Sequence, residues 1–278
     1  MMGLLLGGLY AVIGLGLSLV FGVMKLVNLA HGDLAVFSSY LAYVALSSLG
    51  IDPVASLVLG IPILFAIGFA IQRLLMNRVF RLGMEPPLLI AFGISIILQN
   101  IYLALWTPLS RGLTTGYALQ SYRIGEFYIP LVYLLDFVAA LLVMLFLREF
   151  LRKTYLGRAI RAASQDWRAA QLMGINTNRI YALTFGISMV FAAIAGVFVG
   201  LTFPFTPSSG SAYLIIAFGV VIIGGLGSML GTFIGGVVLG VAQILSGAYF
   251  GAGWQLFLGY VIILAILTAR PQGIFGRR

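Results

Sequence analysis

The sequence predicts an all-α polytopic membrane protein, and three observations carry that prediction. Apolar residues make up 62% of the 278 residues and charged residues only 8%, whereas a soluble domain carries about 25% charged residues. The apolar residues gather in runs of the length that crosses a bilayer, roughly 17–25 residues. Those runs do not alternate with polar residues, which excludes a single-chain outer-membrane barrel. Helices then remain as the way to satisfy backbone hydrogen bonds in lipid. The chain reads as one transmembrane domain over 1–278.

The candidate spans, in order, are 3–23, 33–49, 54–76, 87–106, 128–147, 181–203, 212–227, 229–248 and 254–269. The first begins in MMGLLLGGLYAVIG, which lacks a charged leading region and a cleavage site, so it reads as a span rather than a removed signal. The 33–49 and 212–227 pieces are short and read as broken or re-entrant. The expectation is a bundle of eight or nine membrane-inserted segments.

Charge sets the sidedness. The net charge is +9, but the basic residues sit at the ends of apolar runs, as the positive-inside rule produces. That placement argues against nucleic acid as a partner and for a lipid bilayer. Residues 148–180 hold seven of the sixteen basic side chains (Arg148, Arg152, Lys153, Arg158, Arg161, Arg168 and Arg179) against only Glu149 and Asp166. This segment is expected in the cytoplasm. Counting spans from it puts Lys25, Arg78, Arg81 and the C-terminal tail with Arg270, Arg277 and Arg278 on the same side, and the N-terminus outside. Arg111 and Arg123 in the 107–127 loop run against the rule. That loop is too short for a folded domain, so any large ligand-capturing module belongs to a separate chain.

There are no cysteines, hence no disulfide framework, thiolate metal site or cysteine nucleophile. No HExxH, GxSxG or Walker A pattern occurs, so neither an enzyme site nor an ATP site of the chain's own is expected. No metal or other cofactor is expected on this chain.

Polar groups inside apolar runs are costly and therefore candidates for function. Asn28, His31 and Asp33 form the most concentrated group, in NLAHGD. One reading is a satisfied turn, with Asn and Asp capping helix ends and His31 bonding locally; the other is a pathway or gate. Gln99 and Asn100 lie mid-run in AFGISIILQNIYLALW, either bonding between helices or lining a path. Asp136, about a third of the way in from the outer face, is what a proton-coupled carrier would need, but no deep partner accompanies it. A self-contained secondary carrier or channel for a small solute is the alternative class. Glycine is abundant, at 35 residues. Gly227, Gly231 and Gly235 recur every four residues, as do Gly236 and Gly240, which makes packing stripes. A helix broken at Gly224, Gly225 and Gly227, with its backbone lining a path, is the other reading of that region. A looser cluster at Gly3, Gly7, Gly8, Gly14, Gly16 and Gly22 hints at a duplicated unit.

Within the basic island, LGRAIRAASQDWRAAQLMG is rich in helix formers and ends at Gly174, a residue suited to a helix C-terminus. It predicts one or two short surface helices, which either bind headgroups or dock a cytoplasmic protein. Arg168-Ala169-Ala170-Gln171-Leu172-Met173-Gly174 resembles the EAA-x-x-x-G coupling motif of ABC importer permeases, with Arg168 in place of the leading Glu. GLYAVIGLGLSLVFGVMKLVNLAHGD, PPLLIAFGISIILQN, the island with its following span, and AFGVVIIGGLGSMLGTFIGG occur in that order. Together they resemble the permease subunits of branched-chain amino acid ABC importers, of the shorter H-type.

The resemblance implies a type II-like importer permease with its ATPase-coupling segment over about 148–180, including Arg168, Ala169, Ala170 and Gly174. It implies a second, M-type permease subunit, two ATPase subunits carrying ATP and Mg, and a periplasmic substrate-binding protein, all at a bacterial or archaeal inner membrane. Similar permeases serve importers of urea, short amides and aromatic or dicarboxylic acids, so the implied cargo is a branched-chain amino acid or a similar small polar solute.

Overall fold

Apolar runs in this chain become helices whose mutual fit depends on small residues. The computed structural model describes residues 1–83, 85–118, 120–124, 127–270 and 272–276. Arg277 and Arg278, used above for sidedness, lie outside the described residues. The bundle helices are α1 (Met2–Met24), α2 (His31–Leu49), α3 (Pro53–Ala70), α5 (Glu85–Trp106), α6 (Leu131–Lys153), α9 (Thr177–Thr202), α10 (Ser209–Gly224), α11 (Met229–Phe250) and α12 (Trp254–Ala269). A π-helical turn, Ile71–Met76, continues α3 into the short α4 (Asn77–Val79). Among the described residues, seven segments are long and apolar enough to cross a membrane, and α10 and α12 are shorter apolar helices. The 33–49 piece, expected to be short, belongs to a 19-residue helix that starts at His31. The 212–227 piece is short as expected, and α12, taken above as a full span, is equally short at 16 residues.

Helices α1 and α9 form the buried centre, whereas α3, α5 and α6 present most of their residues outward. Lipid is as apolar as leucine, so close backbone approach and interhelical hydrogen bonds hold such a centre together. Gly236 and Gly240 of α11 rest on the α1 backbone at Gly3, Gly7 and Ala11, while Gly231 and Gly235 rest on the α10 backbone at Val220 and Gly224. The two glycine stripes therefore face two different neighbours. Serines add the polar links: Ser39 Oγ donates to the Gly196 carbonyl at 2.6 Å, Ser38 Oγ to Ala193 at 2.8 Å, and Ser188 Oγ to Gly16 at 2.7 Å.

The connections fall at two ends. One end, here the basic face, carries α7 (Tyr155–Gln165) and α8 (Trp167–Leu172). The other carries a two-stranded antiparallel hairpin, β1 (Ser121–Ile124) with β2 (Phe127–Pro130), in register Ser121 opposite Pro130. Among the described residues, this hairpin and an isolated bridge between Arg111 and Phe205 depart from the all-α expectation, and the hairpin delays the helix expected from 128 until Leu131. Arg111, the exception to the charge rule, is a structural staple there. Its guanidinium donates to Tyr43 Oη at 2.8 Å and to the Trp106 carbonyl at 3.2 Å, and its backbone pairs with Phe205. At the basic face the tail folds back on the α10–α11 turn: the amides of Ile274 and Phe275 donate to the carbonyls of Ile223 and Gly224.

Candidate functional site

Two of the bundle helices do not begin at a face. The chain leaves α1 at Met24 and turns back, so that His31, the first residue of α2, meets the middle of α1. Its Nε2 donates to the Ile13 carbonyl at 3.1 Å, and Gly16 leaves room for the ring. On the other side, 203–208 re-enters from the hairpin face, and Gly210 at the start of α10 packs on Gly32 and Asp33. The N-termini of α2 and α10 thus meet inside the bundle. Each brings unpaired amides and partial positive charge to that point. Discontinuous helices meeting at depth are the way membrane transporters build a polar site.

Asp33 stands at the junction, 1% exposed. It accepts from Ser95 Oγ at 2.5 Å and from Gln99 Nε2 at 3.1 Å, both on α5. Tyr102 Oη donates to the Asp33 carbonyl at 3.0 Å, and the Gln99 amide reaches Ser211 Oγ of α10 at 3.3 Å. The cluster runs from the buried Asp33 through the half-buried Gln99 to the exposed Ser211. It therefore opens on the lateral face formed by α5 and α10, where Ile96 and Ile215 are also exposed.

The sequence candidates divide accordingly. Asp33 and Gln99 come together across 66 residues. Asn28 makes the turn expected of it, accepting from the Ala30 amide at 3.1 Å. The local-turn reading fails for its neighbours: His31 bonds across to α1, and Asp33 bonds α5 instead of capping α2. Asn100 points away from the cluster and donates to its own helix at the Ile96 carbonyl, 2.8 Å. Gly224, Gly225 and Gly227 do not break a helix within the bundle. Gly224 ends α10, and the next four residues turn into α11 at the basic face, Gly225 and Gly227 with φ of 99° and 83°. Gly225 is covered by the tail at Phe275 and Gly276, and Gly227 touches Gly22. The breaks lie instead at 25–30 and 203–208. Asp136 is buried on α6 and accepts from Thr202 Oγ1 at 3.0 Å. Ser95, Tyr102 and Ser211 escaped the sequence reading. Ser95 was findable, since it lies four residues before Gln99 and so shares its helix face.

The basic island resolves into three parts. Residues 148–153 are not loop but the end of α6, and Thr177 to Arg179 open α9. Between them α7 lays Gly157, Ala159, Ile160 and Ala163 on the bundle. Asp166 caps α8, its Oδ1 accepting from the amides of Arg168 and Ala169 at 2.8 and 3.0 Å. The helix closes on Gly174, with φ of 82°. The Ile175 amide donates to Ala170 at 3.0 Å and the Gly174 amide to Gln171 at 2.9 Å, which is the Schellman pattern that glycine favours.

Ala170 is only 4% exposed and packs inward, so of the alanine pair only Ala169 faces out, beside Arg168. The residues that project are Leu172 and Met173, at 89% and 83% exposure. An apolar pair this exposed on a capped, anchored helix is a contact surface without its cover.

A helical bundle with two half-buried helix starts around a polar cluster, and an anchored apolar knob at one end, defines a membrane permease. Residues 1–267 match the family described as the branched-chain amino acid transport system permease component. The chain is 35% identical to the high-affinity branched-chain amino acid transport system permease protein LivH of Escherichia coli K12, over 99% of this chain and 94% of that one. It is 33% identical to the corresponding BraD of Pseudomonas aeruginosa, over the same shares of the two chains. It is also 30% identical to LivM of Salmonella typhimurium, over 96% of this chain and 67% of that protein. No solved structure matches the chain. The chain belongs to the branched-chain amino acid transport permease family.

Proposed function

We propose that the chain is the H-type permease subunit of an ABC importer that passes a branched-chain amino acid, or a similar small polar solute, across the inner membrane. The single observation that carries this reading is the projecting Leu172–Met173 knob, held by the Asp166 cap and the Gly174 turn on a helix pair anchored to the bundle. ATP binding and hydrolysis would take place on two partner ATPases, with Mg there and no cofactor on this chain. One ATPase would receive the knob, so the basic face is cytoplasmic. The hairpin face would then meet a periplasmic substrate-binding protein.

An M-type permease would pair along the α5–α10 face, because the polar edge of Gln99 and Ser211 is unsuited to hydrocarbon. ATPase closure would push α7 and α8. Their contact with α1 and α9 would carry the movement to the junction at Asp33. The test is recovery of the tagged chain from membranes in mild detergent. An ATPase and a second permease are expected to accompany it. Recovery of the chain alone, with uptake into vesicles that needs no ATP, overturns the reading.

A further inference from the structure

A second polar site lies away from the Asp33 cluster, at the basic end of α3 and α9. An open cavity of about 940 Å³ is lined there by Phe65, Phe69, Arg73, Asn77, Arg179 and Leu183, together with Arg78 and two further asparagines. Its volume falls in the range that accepts drug-sized ligands.

The lining is graded by depth. Phe69 and Phe65 sit one and two helical turns deeper along α3 than Arg73, and Leu183 sits one turn deeper along α9 than Arg179. Exposed Leu74 and Leu75 flank Arg73 on the same π-helical turn, so this wall faces hydrocarbon while the arginines reach the level where α3 and α9 end. A cavity apolar below and cationic above has the layout of a phospholipid, acyl chain below and phosphate above.

The arginines are available for an anion. Among the described residues the one ion pair joins Lys153 to Glu149 on α6, so no carboxylate occupies Arg73, Arg78 or Arg179. The Arg73 guanidinium lies over the Phe69 ring, 5.7 Å from its centroid. The frame is braced: Gln72 Nε2 donates to Asn77 Oδ1, and Asn77 Nδ2 donates to the Asn178 carbonyl, each at 3.0 Å. That chain of bonds ties the end of α3 to the start of α9. The π turn that makes it possible is a rare element that recurs at functional sites. Guanidinium groups match phosphate oxygens in geometry as well as charge, and basic pockets between membrane helices take anionic lipid headgroups.

We propose that this cavity is a binding site for one anionic glycerophospholipid, its phosphate held by Arg73, Arg78 and Arg179 and an acyl chain lying along Phe65, Phe69 and Leu183. The site would tie the bilayer to the joint between α3 and α9 whatever the transported solute.

The test uses the full chain in neutral detergent, with retained lipid read by native mass spectrometry after adding phosphatidylglycerol or phosphatidylcholine of the same acyl chains. Phosphatidylglycerol is expected to be retained more than about tenfold better. R73Q/R179Q should abolish that preference, whereas R158Q/R161Q, on exposed α7 outside the cavity, should keep it. Equal loss in both double variants, no preference in the native chain, or displacement of phosphatidylglycerol by millimolar inorganic phosphate overturns the proposal. Should the arginine variant fail to fold, F69W gives a second reading. The fluorescence it adds to that of Trp106, Trp167 and Trp254 in the native chain should be quenched more by brominated phosphatidylglycerol than by brominated phosphatidylcholine, and equal quenching of that increment also overturns the proposal.

Discussion

The Gln99 side chain on α5 donates to the Asp33 carboxylate on α2 at 3.1 Å, and Ser95 one turn earlier donates to the other carboxylate oxygen at 2.5 Å. Helix α5 otherwise packs lightly, with most of its surface outward. Asp33 is thus one hold of the bundle on it, beside the buried Tyr102, whose ring lies 5.0 Å from that of Tyr40. Asp33→Ala removes both acceptors and strands the buried Ser95 hydroxyl, while Gln99 keeps its contact with Ser211, a change worth about 1–3 kcal/mol. The melting temperature should fall, and ATP-driven uptake should drop about tenfold or more, as read in membrane vesicles. Asp33→Asn keeps one carbonyl acceptor and should lie between Asp33→Ala and the native protein. Equal melting for all three would remove Asp33 from this role.

The knob separates docking from folding. Leu172 and Met173 touch little of their own chain, so L172S/M173S should leave expression and melting unchanged while ATPase co-purification is lost. Ala170→Trp has a different expected signature. That side chain is buried, so the variant should lose both stability and ATPase capture.

Gly174 tests the turn itself. A Cβ there meets no neighbouring atom, so the cost of Gly174→Ala is conformational, about 1–2 kcal/mol for holding a left-handed backbone. The expected result is a frayed α8 with weaker ATPase capture, seen as faster amide exchange over 170–176 and normal protection in α9. Unchanged exchange would show that the turn tolerates a side chain.

Glycines are predicted to differ sharply by position. Gly7→Ala drives its new carbon into the α11 backbone at Val237, and backbone cannot move aside as a side chain can. A loss of about 1–3 kcal/mol is expected. Gly93→Ala, in the outward α5, meets no neighbouring atom and should be neutral or stabilise by about 0.5–1 kcal/mol. Thermal melts of the two variants in one detergent make the comparison.

Asp136 distinguishes an ATP-driven permease from an ion-coupled carrier. Among the described residues its one hydrogen-bond partner is the Thr202 hydroxyl, and an amide oxygen can accept that bond in place of a carboxylate. Asp136→Asn should therefore leave uptake near the native level, because the single hydrogen bond is kept rather than lost. Collapse of uptake, with new sensitivity to the proton gradient, would favour the carrier.

Much of this was legible because lipid imposes simple rules on sequence. Run length located the helices, and the clustering of arginine located the face with α7 and α8. Four-residue glycine spacing marked α11 as a packing helix, though which stripe meets α1 and which meets α10 depends on the three-dimensional arrangement. Helix starts inside the bundle were not legible. NLAHGD reads equally well as a surface turn, and nothing local says that His31 will reach Ile13. The same limit applied to Ala170, whose inward aim follows from the rotation of α8 against the bundle. Leu172 and Met173 look like core residues by composition, and only their exposure marks them as a contact. The cavity between α3 and α9 was not legible because its arginines come from two segments about a hundred residues apart.

The tail that folds over the α10–α11 turn has a consequence for how the molecule is made. The carbonyls of Ile223 and Gly224 belong to the end of a helix, where no partner exists within the helix itself. Their donors, the amides of Ile274 and Phe275, are synthesised about fifty residues later, a delay of several seconds at bacterial translation rates. During that interval α10 is inserted with an open end, and α11 and α12 must be laid down before it can close. The basic end of α10 is therefore the last joint of the bundle to set, and a nascent chain stalled short of residue 274 would hold it ajar.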